Sequence, residues 1–491
     1  MSQVSSKIGH QMFKGAALIF LAKSLILPTG FITAVLLGRK LGPIDYGIFA
    51  LVSRMLIWIE WSGTAVFTGT TIKFISDTPD WKPVAATVMK LHLLTGVIFF
   101  ILLWLLSSPL AYMFNEPGIS DYLKLFALDI PVFSLACAHC NILIGIGRFK
   151  ERAYINAVRW IARLFFIVFF VEMGLSVKGA ILGSIGASVV ELIICRLYLP
   201  APLLSKTTFP VRDLLRFGEP LFKTALSLRI FRMDLFILKI LGGTAAQAGY
   251  YGAALNLSIP PAIYSTSLSP PLLSTLNRLI REGDEVKAKK IGLTAIRSFL
   301  WLLPLAAMTA GSAREIVLFI FGDKYSSAGS VLAYLIWAAI GLVAIHISRA
   351  ILTALGKPNW TYILTGPMVP VALIGHVMLI PSMGMTGAAI VTASVAGIGA
   401  VFSLITVFKI WRIYPPLPTI LRSLTVSALS YFIAIYWQAS GILIVPKLLL
   451  ITLLAFISFY LLREFTSFEL EFIRSVFRKD KIKNGFPPAR E

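Results

Sequence analysis

Apolar stretches long enough to cross the ~30 Å hydrocarbon core of a bilayer recur about fourteen times along the 491-residue chain. They predict spans near 12–38, 44–72, 84–113, 118–145, 152–173, 178–199, 216–241, 246–274, 286–310, 326–355, 359–382, 385–410, 418–438 and 442–463. Several are longer than a perpendicular helix needs, which implies tilt or protrusion. The first has no small-residue cleavage site after a short apolar core, so it reads as a retained helix. Polar residues fall in short connections and at a few positions inside spans. This pattern predicts an all-α integral membrane protein.

The pattern also repeats. Leu41-Gly42-Pro43 and Asp45-Tyr46-Gly47 are echoed by Leu241-Gly242-Gly243 and Tyr250-Tyr251-Gly252. Ile142-Leu143 through Gly147-Arg148 is echoed by Ile351-Leu352 through Gly356-Lys357, and Gly174 through Ala180 by Gly384 through Ala388. The echoes keep their order at an offset of about 200 to 210 residues, as short loop indels would produce. Each repeat holds six spans, an even number, so both run in the same direction. The expected architecture is two six-helix lobes related by a pseudo-two-fold along the membrane normal, with two appended helices. Residues 1–199 form the first lobe and 200–215, with Pro200, Pro202 and Pro210, the cytoplasmic linker. The second lobe is 216–413, the added spans 414–464, and the basic cytoplasmic tail 465–491.

Composition narrows the class. Hydrophobic residues make up 57% of the chain and charged residues 14%, so a soluble domain could not hide this much apolar surface. The net charge of +22 could indicate a nucleic-acid binder. Lys/Arg excess in cytoplasmic loops is the simpler source, and no nucleic-acid partner is expected. Counted by connection, basic residues favour one side about four to one, which places both termini in the cytoplasm of a multi-pass protein of the cytoplasmic (inner) membrane.

Polar groups inside spans are costly and each asks for a reason. Lys23 and Arg54 should both sit near the midplane on neighbouring helices. The seventh span carries Lys223, Arg229, Arg232 and Asp234, with Arg229 and Arg232 three apart on one face. Lys23, Arg54, Arg229 and Arg232 therefore suggest a basic internal cavity, with intramembrane pairing and snorkelling as the alternative. The cavity reading is favoured because Glu60 and Asp234 are the nearby acids in the same helices. Glu60 and Asp234 are candidate coupling or charge-balancing groups. Arg159 and Arg163 of the fifth span could pair with Glu191 of the sixth at similar depth. Pro260-Pro261 and Pro270-Pro271 should break the eighth span, which backbone facing protein or a water-filled cavity can tolerate. Asp129, Arg297 and His376 are isolated and unassigned.

Signals for an enzyme are weak. No phosphate-cradling loop, no His-Glu-x-x-His and no sizeable soluble loop is present in the sequence. Cys137-Ala138-His139-Cys140 assembles no four-ligand set, so neither a metal nor a cofactor is expected.

The run Gly38-Arg39-Lys40-Leu41-Gly42-Pro43, followed by Asp45-Tyr46-Gly47 and Phe49-Ala50, resembles the first connection of polysaccharide-lipid flippases. These are the O-antigen and oligosaccharide exporters of the multidrug/oligosaccharidyl-lipid/polysaccharide exporter superfamily. Asp234 with Leu241-Gly242 and Gly249-Tyr250-Tyr251 resembles the equivalent place in their second half, as do Leu355-Gly356-Lys357 and the run from Gly384 to Ala389. The resemblance implies two lobes in a V, alternating access and a polyprenyl-diphosphate-linked oligosaccharide as cargo. It also implies membrane lipid and polysaccharide polymerases or glycosyltransferases as partners. By helix and depth, the cations that would hold the diphosphate are Lys23, Arg54, Arg229 and Arg232. The alternatives are a multidrug/cation antiporter, in which acidic cavity residues should dominate, and a membrane polysaccharide polymerase or ligase, which needs a larger outer loop.

Overall fold

The computed structural model describes residues 26–200, 209–230, 233–357 and 359–464, and among these every regular element is a helix. Nine stretches of the described residues are helices long and apolar enough to cross a membrane. Three of them, Pro28–Asp77, Phe149–Tyr198 and Tyr362–Trp411, run 50 residues each. At 1.5 Å per residue that is about 75 Å, enough for two crossings of the ~30 Å core. Each is kinked at a glycine with positive φ: Gly42 at φ 74°, Gly174 at φ 84° and Gly384 at φ 56°.

The first of these is α1, Ile26–Asp77, with Pro43 immediately after its Gly42 kink. Then come α2 (Lys82–Met113), α3 (Ile119–Ala127), α4 (Asp129–Gly145), α5 (Phe149–Phe170) and α6 (Ser176–Tyr198). The expected seventh span is two helices, α7 (Val211–Ile230) and α8 (Asp234–Ile240). The eighth is also two, α9 (Ala245–Leu257) and α10 (Pro260–Arg281). Pro260-Pro261 occupies the first turn of α10, where a missing N–H has no partner to lose. Pro270-Pro271, expected to break the helix, instead lies inside an unbroken α10. The hydroxyls of Ser265, Ser267 and Ser269 are satisfied within the helix, on the carbonyls of Ala262, Ile263 and Ser265.

The rest of the chain is α11 (Glu285–Leu300), α12 (Leu303–Gly311), α13 (Ala313–Phe321), α14 (Ala328–Ala354), α15 (Asn359–Thr365), α16 (Met368–Trp411), α17 (Leu417–Tyr436) and α18 (Ile444–Leu461). The last two are fastened by buried charge. Lys447 of α18, fully buried, reaches Glu315 of α13 at 2.5 Å and the Ala434 carbonyl at 2.7 Å. Arg297 of α11 and Arg422 of α17 both engage Glu464, at 2.8 and 3.1 Å.

Packing divides unevenly along the molecule. One core draws on both halves of the chain, joining Leu37, Tyr46, Leu56, Phe114 and Phe126 to Phe236, Tyr251, Phe321 and Tyr325. At the other end there are two cores. One joins Ile75, Met89, Leu143, Cys195 and Leu214; the other joins Leu276, Phe299, Ile351, Val407 and Trp411. The apolar core is thus shared at the Gly42 end and divides into two beyond it, where α7 of the second half still packs on α1, Gly218 against Val66 and Phe217 against Phe74.

Candidate functional site

Arg54 stands where the core divides. It is half-buried on α1, between Val52 and Leu56 of the shared core and well before Ile75 of the split one. Its charge reaches the hydroxyls of Tyr46 and Tyr251, which belong to opposite halves of the chain. Tyr46 accepts a 2.8 Å hydrogen bond from Asn256 at the end of α9. Lys23 and Arg232 lie outside the described residues, and only the backbone of Arg229, in α7, is described.

Tyr251 connects this region to Asp234. Its hydroxyl donates to Asp234 Oδ2 at 2.7 Å and stands 3.4 Å from Thr392 of α16. Asp234 Oδ1 accepts the Leu235 N–H at 3.0 Å, the local contact expected of an acid opening a helix. His376 of α16 lies within electrostatic reach of the same carboxylate. The result is a buried chain of polar groups running from α8 through α9 to α16.

Glu60 belongs elsewhere. It is buried on α1 against Asp129, the first residue of α4, with Arg159 and Arg163 of α5 nearby. Arg159 Nε lies 3.0 Å from Glu191 Oε2, and the Arg159 guanidinium covers the Phe133 ring at 4.9 Å. Arg152 also approaches Glu191, at 3.8 Å, while Arg163 Nε donates to Ser184 at 3.4 Å. Arg152 repeats Arg159 two turns earlier on one helical face, a spacing visible in the sequence. Asp129 and His376 had no such local signal, since their partners sit on other helices.

At the Gly42 end, polar contacts join the halves. Arg39 donates to the Ile320 and Phe319 carbonyls at 2.8 and 2.6 Å, capping the C-terminus of α13 where a cation is favoured. Lys239 of α8 pairs with Glu116 at 2.9 Å, and Phe114 stacks on Phe236. Tyr46 packs its ring on Phe321 and Tyr325.

A bundle of apolar helices, kinked at glycines and enclosing buried charge, is a multi-pass membrane protein. A family model for polysaccharide biosynthesis proteins matches residues 36–330, and the chain belongs to that family. This is the group to which its motifs pointed. It is 24% identical over 385 residues to the probable low-salt glycan biosynthesis flippase Agl15 of Haloferax volcanii, covering 76% of this chain and 79% of that one. It is 22% identical over 431 residues to an uncharacterized membrane protein of Methanocaldococcus jannaschii, covering 81% and 83%. Among solved structures, the inward closed conformation of the lipid II flippase MurJ superposes with a TM-score of 0.71 at 14% identity, covering 94% of this chain and 100% of that one. An inward-facing multidrug resistance MATE family transporter gives a TM-score of 0.60 at 16% identity, over 80% and 94%. The fold is therefore the one these flippases and transporters share.

Proposed function

We propose that this protein flips a polyprenyl-diphosphate-linked oligosaccharide across the cytoplasmic membrane for cell-surface polysaccharide biosynthesis. It is a transporter, not an enzyme. The observation that carries the reading is the divided core, with Arg54 where it divides, in a chain of the polysaccharide biosynthesis family. Fourteen crossings form two six-helix lobes and two added helices, and both termini face the cytoplasm. On this reading the lobes meet at the outer end, the cargo enters between the two divided cores, and the contact of α7 with α1 at the inner end must open to admit it. A diphosphate in a low-dielectric cavity needs Lys or Arg partners, because an unpaired buried anion is prohibitively expensive. Lys23, Arg54, Arg229 and Arg232 supply them. The lipid tail stays in the bilayer while the sugar headgroup crosses. Alternating access then requires the outer contacts of Arg39, Glu116 and Lys239 to open as the inner ends close.

The test is reconstitution. The purified protein is placed in liposomes holding a labelled polyprenyl-diphosphate oligosaccharide, and a membrane-impermeant glycosidase reports the outward-facing fraction. Wild-type protein should expose both leaflets' glycan, and Arg54→Gln should slow this at least about tenfold, the loss of one charge-assisted contact. No transfer by the wild type overturns the assignment. Efflux of cationic dyes instead would favour the multidrug antiporter reading.

A further inference from the structure

A cavity of about 390 Å³ lies between α2 and the chain entering α7. Thr87, Lys90 and Leu91 of α2 form one wall, and Phe209, Pro210 and Val211 form the other. The walls are pinned together by Thr87, whose hydroxyl accepts the Phe209 N–H at 2.8 Å and donates to the Pro83 carbonyl at 3.1 Å. The volume is that of a small-molecule site, and Lys90 is the only charged group among its lining residues.

The position along α2 narrows what can fill it. From Leu91 to Met113 the helix has no Asp, Glu, Lys or Arg, about 35 Å of uncharged helix at 1.5 Å per residue. That covers the ~30 Å hydrocarbon core, so Lys90 stands at its edge, at the level of lipid phosphates. Before Lys90, Val84 to Met89 are buried in protein. Beyond it, Leu94, Ile98, Ile101 and Leu105 are exposed, and their spacing continues the Leu91 face of the helix. A cavity holding one cation therefore leads onto an apolar stripe that runs into the hydrocarbon.

We infer that this cavity binds a membrane lipid with an anionic phosphate headgroup, the phosphate on Lys90 and one acyl chain along the α2 stripe. The second wall reaches the aromatic cluster that holds the two halves together at this end. The Phe209 ring centre lies 5.2 Å from that of Phe74 of α1, and Phe74 meets Phe217 of α7 at 6.0 Å. Lys73 Nζ covers the Phe217 ring at 4.2 Å. A headgroup seated against Phe209 and Val211 braces the start of α7, and with it the contact of α7 on α1. That contact opens to admit cargo on the transport reading above, so the bound lipid slows transfer. The slowing rests on that reading; the lipid site does not.

Native mass spectrometry of the full-length protein, delipidated in detergent and titrated with dioleoyl phosphatidylglycerol or dioleoyl phosphatidylcholine, tests the site. The wild type should retain one phosphatidylglycerol at least about tenfold more tightly than phosphatidylcholine, the worth of one charge-assisted contact. Lys90→Gln should lose that preference and Lys90→Arg should keep it, since the charge remains. Equal retention of the two lipids by the wild type, or an undiminished preference in Lys90→Gln, overturns the inference. Inorganic phosphate should not displace the bound lipid; displacement would mean a site for the free anion and overturns the lipid assignment. Should Lys90→Gln fail to accumulate, the wild-type comparison of the two lipids decides alone. In liposomes, raising the phosphatidylglycerol fraction should slow wild-type glycan transfer several-fold more than that of Lys90→Gln. Equal slowing of both overturns the brace on α7. Lipid retention with no transfer in any membrane sinks the transport reading and leaves the lipid site standing.

Discussion

Gly47 and Gly249 meet backbone to backbone where α1 crosses α9. A Cβ on Gly47 would stand 2.6 Å from the Gly249 nitrogen, and one on Gly249 would stand 3.2 Å from the Gly47 nitrogen. Each would also strike a carbonyl oxygen, of Ala245 or Pro43. Neither obstacle is a flexible side-chain end that could swing aside. The shared core closes around this contact, so the two halves of the chain depend on it.

Gly47→Ala and Gly249→Ala should therefore each destabilise the protein by about 1–3 kcal/mol, the usual cost of overpacking. Gly252→Ala should cost less, because there the nearest obstacle is the Ala50 methyl at 3.0 Å. Thermal unfolding of detergent-purified variants followed by fluorescence would rank them. Equal melting temperatures for all three and the wild type would contradict the crossing.

Arg54 and Arg159 should behave oppositely. Arg159 is paired with Glu191, so Arg159→Met leaves a buried acid short of a partner and should cost about 3–5 kcal/mol and most of the protein's abundance. On the proposed role, Arg54→Gln should accumulate at wild-type level with transport reduced, because a cation that serves the cargo is not needed for packing. Arg54→Lys should keep part of the activity, since the charge remains while the planar fork is lost. Lys23→Gln is expected to match Arg54→Gln. Membrane immunoblots beside an export assay separate the two outcomes.

The topology has a direct check. In a background lacking Cys137, Cys140 and Cys195, single cysteines replace Asn115 and Glu282, both exposed. Asn115→Cys should react with an impermeant thiol reagent in intact cells, and Glu282→Cys only after lysis. The reverse pattern would invert the orientation drawn from the basic loops.

The pair Glu116–Lys239 bridges the halves at the Gly42 end. Glu116→Gln leaves the almost fully buried Lys239 without its acid and should loosen that end, making a cysteine at the buried Ile119, whose N–H bonds the Glu116 carbonyl, more reactive from outside. Exchanging the charges, Glu116→Lys with Lys239→Glu, should restore protection. Unchanged labelling in Glu116→Gln would mean that the bridge does not hold the end shut.

The membrane spans were legible because apolar length is a local property of the chain. Glycines that echo one another in the sequence also share a positive φ. Gly42 and Gly242 lie at φ 74° and 96°, Gly147 and Gly356 at 78° and 72°, and Gly174 and Gly384 at 84° and 56°. Only a residue without Cβ enters that region freely, so punctuation in sequence became punctuation in structure. Pro270-Pro271 read as a break and is none, because α10 is held against its neighbours by Leu272, Leu276 and Leu279 of a shared core.

Alone, then, the sequence determined an all-helical membrane protein, its family, and the glycines at which its long helices kink. Each of these depends on residues close together along the chain. The tertiary structure decided which buried polar groups meet: Arg152 beside Arg159 at Glu191, Arg163 at Ser184, and Tyr251 between Asp234 and Thr392. A side chain inside a span satisfies its polar atoms on another helix, and crossing angle and depth choose that helix, which spacing along one strand of sequence does not encode.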